Sequence, residues 1–379
     1  MKFIHDYLIQ KVKDGQTVPG DYHACERTSS GTFYLICDGI GSGIYANISA
    51  ITCASRLMEL WRKGMPIRLS SETVAASMHR ARTEDIPFSA FIAALILSDG
   101  QFLIYAYEAP TPILIHENFS RVLTPRFYTA GFEVISEITG HLMLGDSLVL
   151  FSDGVSQAGL GHGYEFGIGS AGVATFINQN ISKISPLELP SKILGKCAEA
   201  SQGHCHDDTT LAVLHCDEAK EITLLTGPPS KHSLDQNYAK EFIEKPGKKI
   251  VCGSTTAEII ARELKLNVNM STVGELLGAP PEYTIDGIDT VTEGAVTLNQ
   301  IYNILDEPAE NLTDNSAVER VCLMLREADV VNLMVGKAKN IAHEDLIFKQ
   351  IGVRVRKTAV QLLAEKLKRF GKLVTEKYY

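Results

Sequence analysis

No CxxC pair occurs in the 379 residues, and no apolar run approaches the roughly 20 residues that span a bilayer. Basic runs are missing too, so nothing offsets a formal net charge of -9, which argues against nucleic acid or an anionic membrane as the main partner. The first residues, MKFIHDYLIQKVKDG, are charged throughout and unlike a secretion signal, and the expected location is cytoplasmic. Eight cysteines (25, 37, 53, 197, 205, 216, 252 and 322) are scattered, with Cys37 and Cys252 inside apolar runs. They read as reduced, mostly buried thiols rather than a disulfide framework. Internal repeats and low-complexity tracts are absent. What remains is a globular composition, 45% hydrophobic and 21% charged, in a chain long enough for two domains that each bury a core.

The stretch that organises the first of these is GTFYLICDGIGSGIYAN, Gly31 to Asn47. An apolar run ends at Asp38, three glycines follow in five residues, and a helical pattern takes over. A carboxylate is thereby set at a strand tip, beside glycines that let a ligand approach and leave the Gly39 carbonyl free. Ile44, Ile48, Ile51, Met58 and Trp61 then recur at helical spacing up to Gly64 and predict a helix packed on a sheet. A second helix is expected over Thr73 to Arg82, capped by Ser70 or Ser71.

Ser-Asp-Gly occurs twice. Asp99-Gly100 lies between two strand patterns and reads as a hairpin turn. Asp153-Gly154 ends the strand Ser147 to Phe151 with no returning strand, which repeats the situation at Asp38. Asp146, in the turn LGDS, is assigned to structure. Pro19 and Gly20 turn the chain into Asp21, and SQGHCHDDTTLAVLHC puts Asp207 and Asp208 at the start of a buried strand. His204, Cys205 and His206 suggest zinc, but neighbouring side chains on extended backbone point to opposite faces, and no partner motif has zinc spacing.

After a boundary within 216 to 221 the texture becomes an alternation of strand and helix. The domains are set at 1–218 and 219–379, the second being a smaller α/β domain. Within it, KKIVC followed by Gly253, Ser254, Thr255 and Thr256 and then a helix makes an anion cradle of backbone amides, with ordinary capping as the competing explanation. The terminal TAVQLLAEKLKRF reads as a packed helix and Tyr378-Tyr379 as a frayed end.

Asp21, Asp38, Asp153 and Asp207 thus lie at strand tips of the first domain. Two carboxylates about 4 Å apart repel by on the order of 4 kcal/mol at the effective dielectric of protein sites, so a cluster of four needs a cation. All-oxygen ligands with a free carbonyl suit Mg2+ or Mn2+ rather than zinc. Two such ions activate water against a phosphate ester, with Asp38 and Asp153 as the residues on which catalysis depends.

Taken in order, PGDYH, CDGIGSG, FEVISE with LMLGDSLVLFSDG, and HDDTTLAVL resemble the motifs of the SpoIIE-type (sporulation stage II protein E) branch of the metal-dependent serine/threonine protein phosphatases, the protein phosphatase 2C superfamily. The resemblance spans about residues 1 to 217. It implies an α+β fold, an α-β-β-α sandwich with a two-ion centre, usually manganese, between the sheets, and a phosphoprotein substrate. Carried over, Asp21 and the Gly39 carbonyl would hold one ion, Asp38 would bridge both, and Asp153 and Asp207 would hold the other; Asp208 would support the last ligand. Ile40 stands where the eukaryotic enzymes carry a histidine thought to act as general acid, which implies slow turnover. No arginine aligns convincingly as a phosphate clamp; Arg27 is the candidate, and it reads better as a solvated surface residue. The two helices after Asp38 correspond to the family's switch region, which leaves activity open to control by homodimerisation or a partner.

The main expectation is a bacterial phosphoserine/phosphothreonine phosphatase whose second domain senses a ligand or docks a partner. The alternatives are a non-catalytic metal-binding regulator, favoured by the missing general acid and clamp, and a sensor of a small phosphorylated ligand centred on Gly253 to Thr256.

Overall fold

Two units, Met1–Glu218 and Ala219–Tyr379, make up the chain in the computed structural model, which describes residues 1–41, 43–271, 282–313, 316–338 and 354–379. Unit 1 runs β1 (Lys2–Lys11), β2 (Asp21–Thr28), β3 (Gly31–Gly39), α1 (Gly43–Arg62), α2 (Ile67–Thr83), β4 (Ser89–Leu97) and β5 (Gln101–Tyr107). It continues with β6 (Ile113–His116), β7 (Phe119–Val122), β8 (Arg126–Ala130), β9 (Glu133–His141), β10 (Ser147–Phe151), α3 (Asp153–Ser156), α4 (Gly169–Asn180), α5 (Leu189–Ala200) and β11 (Thr209–Glu218).

These strands form two antiparallel sheets, ordered β2-β3-β4-β5-β9-β8 and β1-β11-β10-β6-β7. Period-two alternation explains the layers. Tyr34, Ile36, Ile92 and Ile104 of the first sheet meet Leu148, Leu150, Ala212 and Leu214 of the second in one core. The intervening residues, Phe33, Leu35, Cys37 and Phe91, turn outward to α1 and α2, while Val149, Phe151, Leu211 and Val213 turn outward to α4 and α5. Helix, sheet, sheet and helix follow in order, the expected α-β-β-α sandwich. The central strands β3, β4, β10 and β11 are nearly continuous in apolar residues because both of their faces are covered.

The α1 helix is rotated from the expected orientation. Its buried face includes Ala46, Ser49, Ala50, Cys53, Ala54, Leu57 and the expected Met58, with the expected Trp61 stacked on Phe33, whereas Ile44, Ile48 and Ile51 face solvent. The reason is close approach: α1 lies so near the end of β3 that a Cβ on Gly39 would run into the Ala46 carbonyl, and only small side chains fit between. The second helix starts earlier than expected, directly after Pro66, with the Ser70 hydroxyl donating to the Pro66 carbonyl instead of capping.

Unit 2 is a seven-stranded sheet, comprising β12 (Glu221–Thr226), β13 (Lys248–Cys252), β14 (Val268–Ser271), β15 (Glu282–Ile285), β16 (Thr290–Thr292), β17 (Val330–Val335) and β18 (Leu373–Tyr378). The parallel core is ordered β16-β13-β12-β17-β18, extended by antiparallel β15 and β14. Helices α6 (Asp235–Glu244) and α7 (Ser254–Leu264) cover one face. The other is covered by α8 (Ala295–Ile304), α9 (Ala317–Glu327) and α10 (Arg356–Arg369). This is a doubly wound arrangement. The C-terminus is not frayed: Tyr378 belongs to β18, and the Tyr379 N–H donates to the Val335 carbonyl with its ring against Tyr238. No helix among the described residues is long and apolar enough to cross a membrane.

The two faces of α1 make a direct test. Leu57→Ala, at a fully buried position, should cost about 2–5 kcal/mol in urea unfolding, while Ile48→Gln should change stability by less than about 0.5 kcal/mol. Comparable losses from both would contradict the rotated packing.

Candidate metal centre

The candidate site lies where the tips of the two unit 1 sheets meet. Asp21 opens β2 and Asp38 nearly ends β3, and the two are direct partners in the antiparallel ladder. Opposed residues project to the same face, which puts both carboxylates on one side. From the other sheet, Asp153 follows β10 as the first residue of α3, and Asp207 and Asp208 lead into β11. The second Asp-Gly pair is constrained as tightly as the first, since a Cβ on Gly154 would collide with the Asp208 carbonyl. Asp21 and Asp208 are buried, whereas Asp38, Asp153 and Asp207 are partly open to solvent. Asp146, by contrast, is a turn residue: it accepts from the Met143 N–H and pairs with His116.

Electrostatics show how closely the carboxylates face one another. Burial, and then the charges of Asp21 and Asp153, push the Asp38 carboxyl from its ordinary 3.8 up to about 10. Hydrogen bonding toward Asp153 and the charge of Asp207 raise Asp38 further. Burial raises Asp21 to about 7, with Asp208 and Asp153 adding repulsion and the hydroxyls of Ser152 and Thr210 pulling the other way. Asp207 is raised by burial and by Asp153, against the opposing pull of Lys13. Asp21, Asp38, Asp153 and Asp207 therefore share one field, with Asp208 at its buried edge.

Each carboxylate is also engaged by a local donor. Asp21 accepts from Ser152 Oγ at 2.6 Å, and Asp153 from Gln157 Nε2 at 2.7 Å. Asp207 accepts from the Asp208 N–H at 3.0 Å and lies 3.6 Å from Lys13 Nζ. In keeping with this, no group of three His, Cys, Asp or Glu side chains among the described residues has the spacing of a formed metal cage. The mutual pKa shifts nevertheless bring the same carboxylates within one another's field, and that convergence matters more for the chemistry, because side-chain rotation alone separates a hydrogen-bonded carboxylate from a ligating one. Asp21 Oδ1 is buried and has no hydrogen-bond partner. An orphaned buried carboxylate oxygen among repelling carboxylates is a donor set that fits a hard divalent cation.

Three contributors were not visible in the sequence. The Ser152 hydroxyl donates to Asp21 and accepts from the Thr210 N–H, tying the acid to the opposite sheet. Lys13 donates its N–H to Asp208 Oδ1 at 3.0 Å while its ammonium stands beside Asp207. Gln157 holds Asp153. These links join residues far apart in the chain, and no local pattern signals them. Arg27 is neither a clamp nor a surface residue: it is buried, paired with Asp6, donates to the Ile4 carbonyl and lies over the Phe3 ring. His206 stacks on His162, with His204 alongside, on exposed loops. A cleft of about 220 Å³ borders the Asp207 side, lined in part by Lys11, Gln157, Leu160 and His206.

Residues 28–217 match the family model of Stage II sporulation protein E (SpoIIE); Asp21 lies just before the matched range. Among solved structures, one of the PP2C phosphatase domain and a fragment of the regulatory domain of the cell fate determinant SpoIIE from Bacillus subtilis is 17% identical. That match has a TM-score of 0.49 and covers 57% of this chain and 64% of that one, so this chain spans less than two thirds of that protein's length. The RsbU and RsbW domains of Rv1364c from Mycobacterium tuberculosis are 15% identical, with 64% and 67% coverage and a TM-score of 0.49. RsbX, solved in complex with magnesium, is 16% identical, with 57% and 100% coverage and a TM-score of 0.42. No curated protein matches the sequence.

The raised carboxyls set the pH dependence of the cation-free protein. A carboxyl whose folded-state value is raised contributes stability at low pH that is lost as pH rises through that value. Stability in chelator should therefore fall as pH rises through about 7, where Asp21 titrates, and on toward about 10, where Asp38 titrates. Asp38→Asn, which removes the more strongly shifted group, should flatten that slope and exceed the parent in urea stability near pH 8. An unchanged slope would show that the carboxylates do not share a field.

Proposed function

The chain belongs to the stage II sporulation protein E family, and from that premise we propose that unit 1 is a divalent-cation-dependent phosphatase acting on phosphoserine or phosphothreonine of a bacterial regulatory protein. What supports this reading is that the charges of Asp21, Asp38, Asp153 and Asp207 oppose one another at the sheet tips.

Asp21, Asp38, Asp153, Asp207 and the Gly39 carbonyl are the groups that would hold two ions of the manganese or magnesium class. When bound, such ions neutralise the carboxylates and supply Lewis acidity that activates water and offsets phosphoryl charge. Everything else falls to the protein. Ser152 fixes the direction of Asp21, and the buried Asp208 fixes the start of β11 through the Lys13 N–H. The Lys13 ammonium, part-exposed beside Asp207, is positioned to attract a dianionic phosphate to the cleft mouth. In hydrolysis the water oxygen bonds to phosphorus as the bond to the seryl or threonyl oxygen breaks, and that oxygen takes up a proton. Ile40 is exposed and carries no proton, so the proton comes from solvent and turnover is slow.

Release of phosphate from a phosphoserine peptide should require manganese or magnesium and fall by about a hundredfold or more in Asp38→Asn and Asp153→Asn. Lys13→Met should raise KM while leaving kcat within about a factor of three, as expected when binding is weakened uniformly. Full activity of the aspartate variants, or activity in chelator, would overturn the reading. Manganese binding without turnover on any phosphoprotein would instead favour a non-catalytic regulator, a role that Ile40 also suits.

A further inference from the structure

Unit 2 contains the same local construction twice, side by side. β13 ends at Cys252 and passes through Gly253 into α7, and β16 ends at Thr292 and passes through Glu293 and Gly294 into α8. The two strands are parallel neighbours, so both helices begin at the same edge of the sheet. Each helix has a glycine at its N-cap, and neither is capped by a side chain. The two glycines touch: a Cβ on Gly253 would stand 3.8 Å from the Gly294 Cα. Gly253 has φ +123 and its N–H donates to the Thr292 carbonyl, a conformation that excludes a side chain.

The third residue of each helix is a buried threonine. Thr256 is 1% exposed and Thr297 is 0% exposed. The Thr297 hydroxyl oxygen is fully buried without a hydrogen-bond partner. Thr256 Oγ1 lies 3.2 Å from where a Gly253 Cβ would stand, over the glycine that begins its own helix. A threonine in the first turn ordinarily satisfies its hydroxyl nearby, and leaving one buried and unpaired is destabilising. The unpaired, fully buried Thr297 hydroxyl stands at the start of one uncapped helix, beside the equally uncapped start of α7, and lacks the partner that a bound anion would supply. The first amides of each helix, Ser254 to Thr256 and Ala295 to Thr297, are donors that an α-helix leaves unused. Ser254 is half-buried and Thr255 exposed, so the α7 end opens to solvent.

We propose that unit 2 binds a small phosphate-bearing anion between the N-termini of α7 and α8, held by the amides of Ser254–Thr256 and Ala295–Thr297 and by the hydroxyls of Thr256 and Thr297. The donors come from two directions and outnumber what the two oxygens of a carboxylate accept, whereas the oxygens of a phosphate group take them up. Both helix dipoles favour that charge. The site is independent of the carboxylate centre in unit 1, and its ligand is not that centre's substrate.

The test uses the full chain in chelator, so that cations do not bring phosphate to unit 1, with inorganic phosphate titrated by calorimetry. Saturable binding is expected in the parent and in Asp38→Asn alike. The double variant Thr256→Val, Thr297→Val should weaken it by about tenfold or more through the lost donors. Because the unpaired Thr297 hydroxyl becomes a methyl group, that variant should melt within a few degrees of the parent when phosphate is absent. Thr256→Ser with Thr297→Ser, which keeps both hydroxyls, should bind within about threefold of the parent, and serves as the test if the valine pair does not fold. Absence of phosphate binding in the parent, unchanged binding in the valine pair, or loss of binding in Asp38→Asn would overturn the proposal.

Discussion

Repulsion among carboxylates is the constraint around which unit 1 is arranged. Asp38 is pressed by Asp21 from its own sheet and by Asp153 from the other, in a setting buried enough to move its carboxyl to about 10. Folding would not gather these groups without compensation. Part of it is local, from Ser152, Gln157, Lys13 and the Asp208 N–H. On the proposed reading bound divalent cations would supply the rest, so that stability given up by the cation-free fold would become binding free energy.

The scaffold is stiff where that trade requires it. The two sheets bury a continuous aliphatic core directly behind the aspartates. Gly39 under α1 and Gly154 against the Asp208 carbonyl hold the strand tips at contact distance. Solvent reaches the partly open Asp38, Asp153 and Asp207, but not Asp21 or Asp208, so the pocket has a closed back and an open front. Lys13 stands on that open side, beside Asp207.

Much of this was legible from residue order. Asp38 and Asp153 stood out because each ends an apolar run and precedes glycine without a returning strand, while Asp99 and Asp146 were correctly set aside as turn residues. The sandwich followed from continuous apolar strands separated by amphipathic helices. The buried side of α1 is legible only in its second half, at Met58 and Trp61; in the first half isoleucine is the stronger apolar signal, yet close approach to Gly39 selects alanine and serine. Ser152, Lys13 and Gln157 carry no motif, since their roles exist only once distant segments meet. The dipeptide Tyr378-Tyr379 looked like an end because its pairing partner, β17, lies more than forty residues earlier. In unit 2 the turn Gly253 to Thr256 is legible as the opening of a helix, whereas Gly294 and Thr297 show only a glycine and a threonine in sequence and are brought beside it by the β13–β16 pairing.

The central claim is that these aspartates remain together in their charged state only around divalent cations. Calorimetric titration of manganese into the chelator-stripped protein near neutral pH, repeated in buffers of different ionisation enthalpy, measures it directly. The account predicts saturable binding that releases protons, with both the affinity and the proton release diminished in Asp38→Asn. Binding with no proton release, or equal binding by parent and Asp38→Asn, would contradict it.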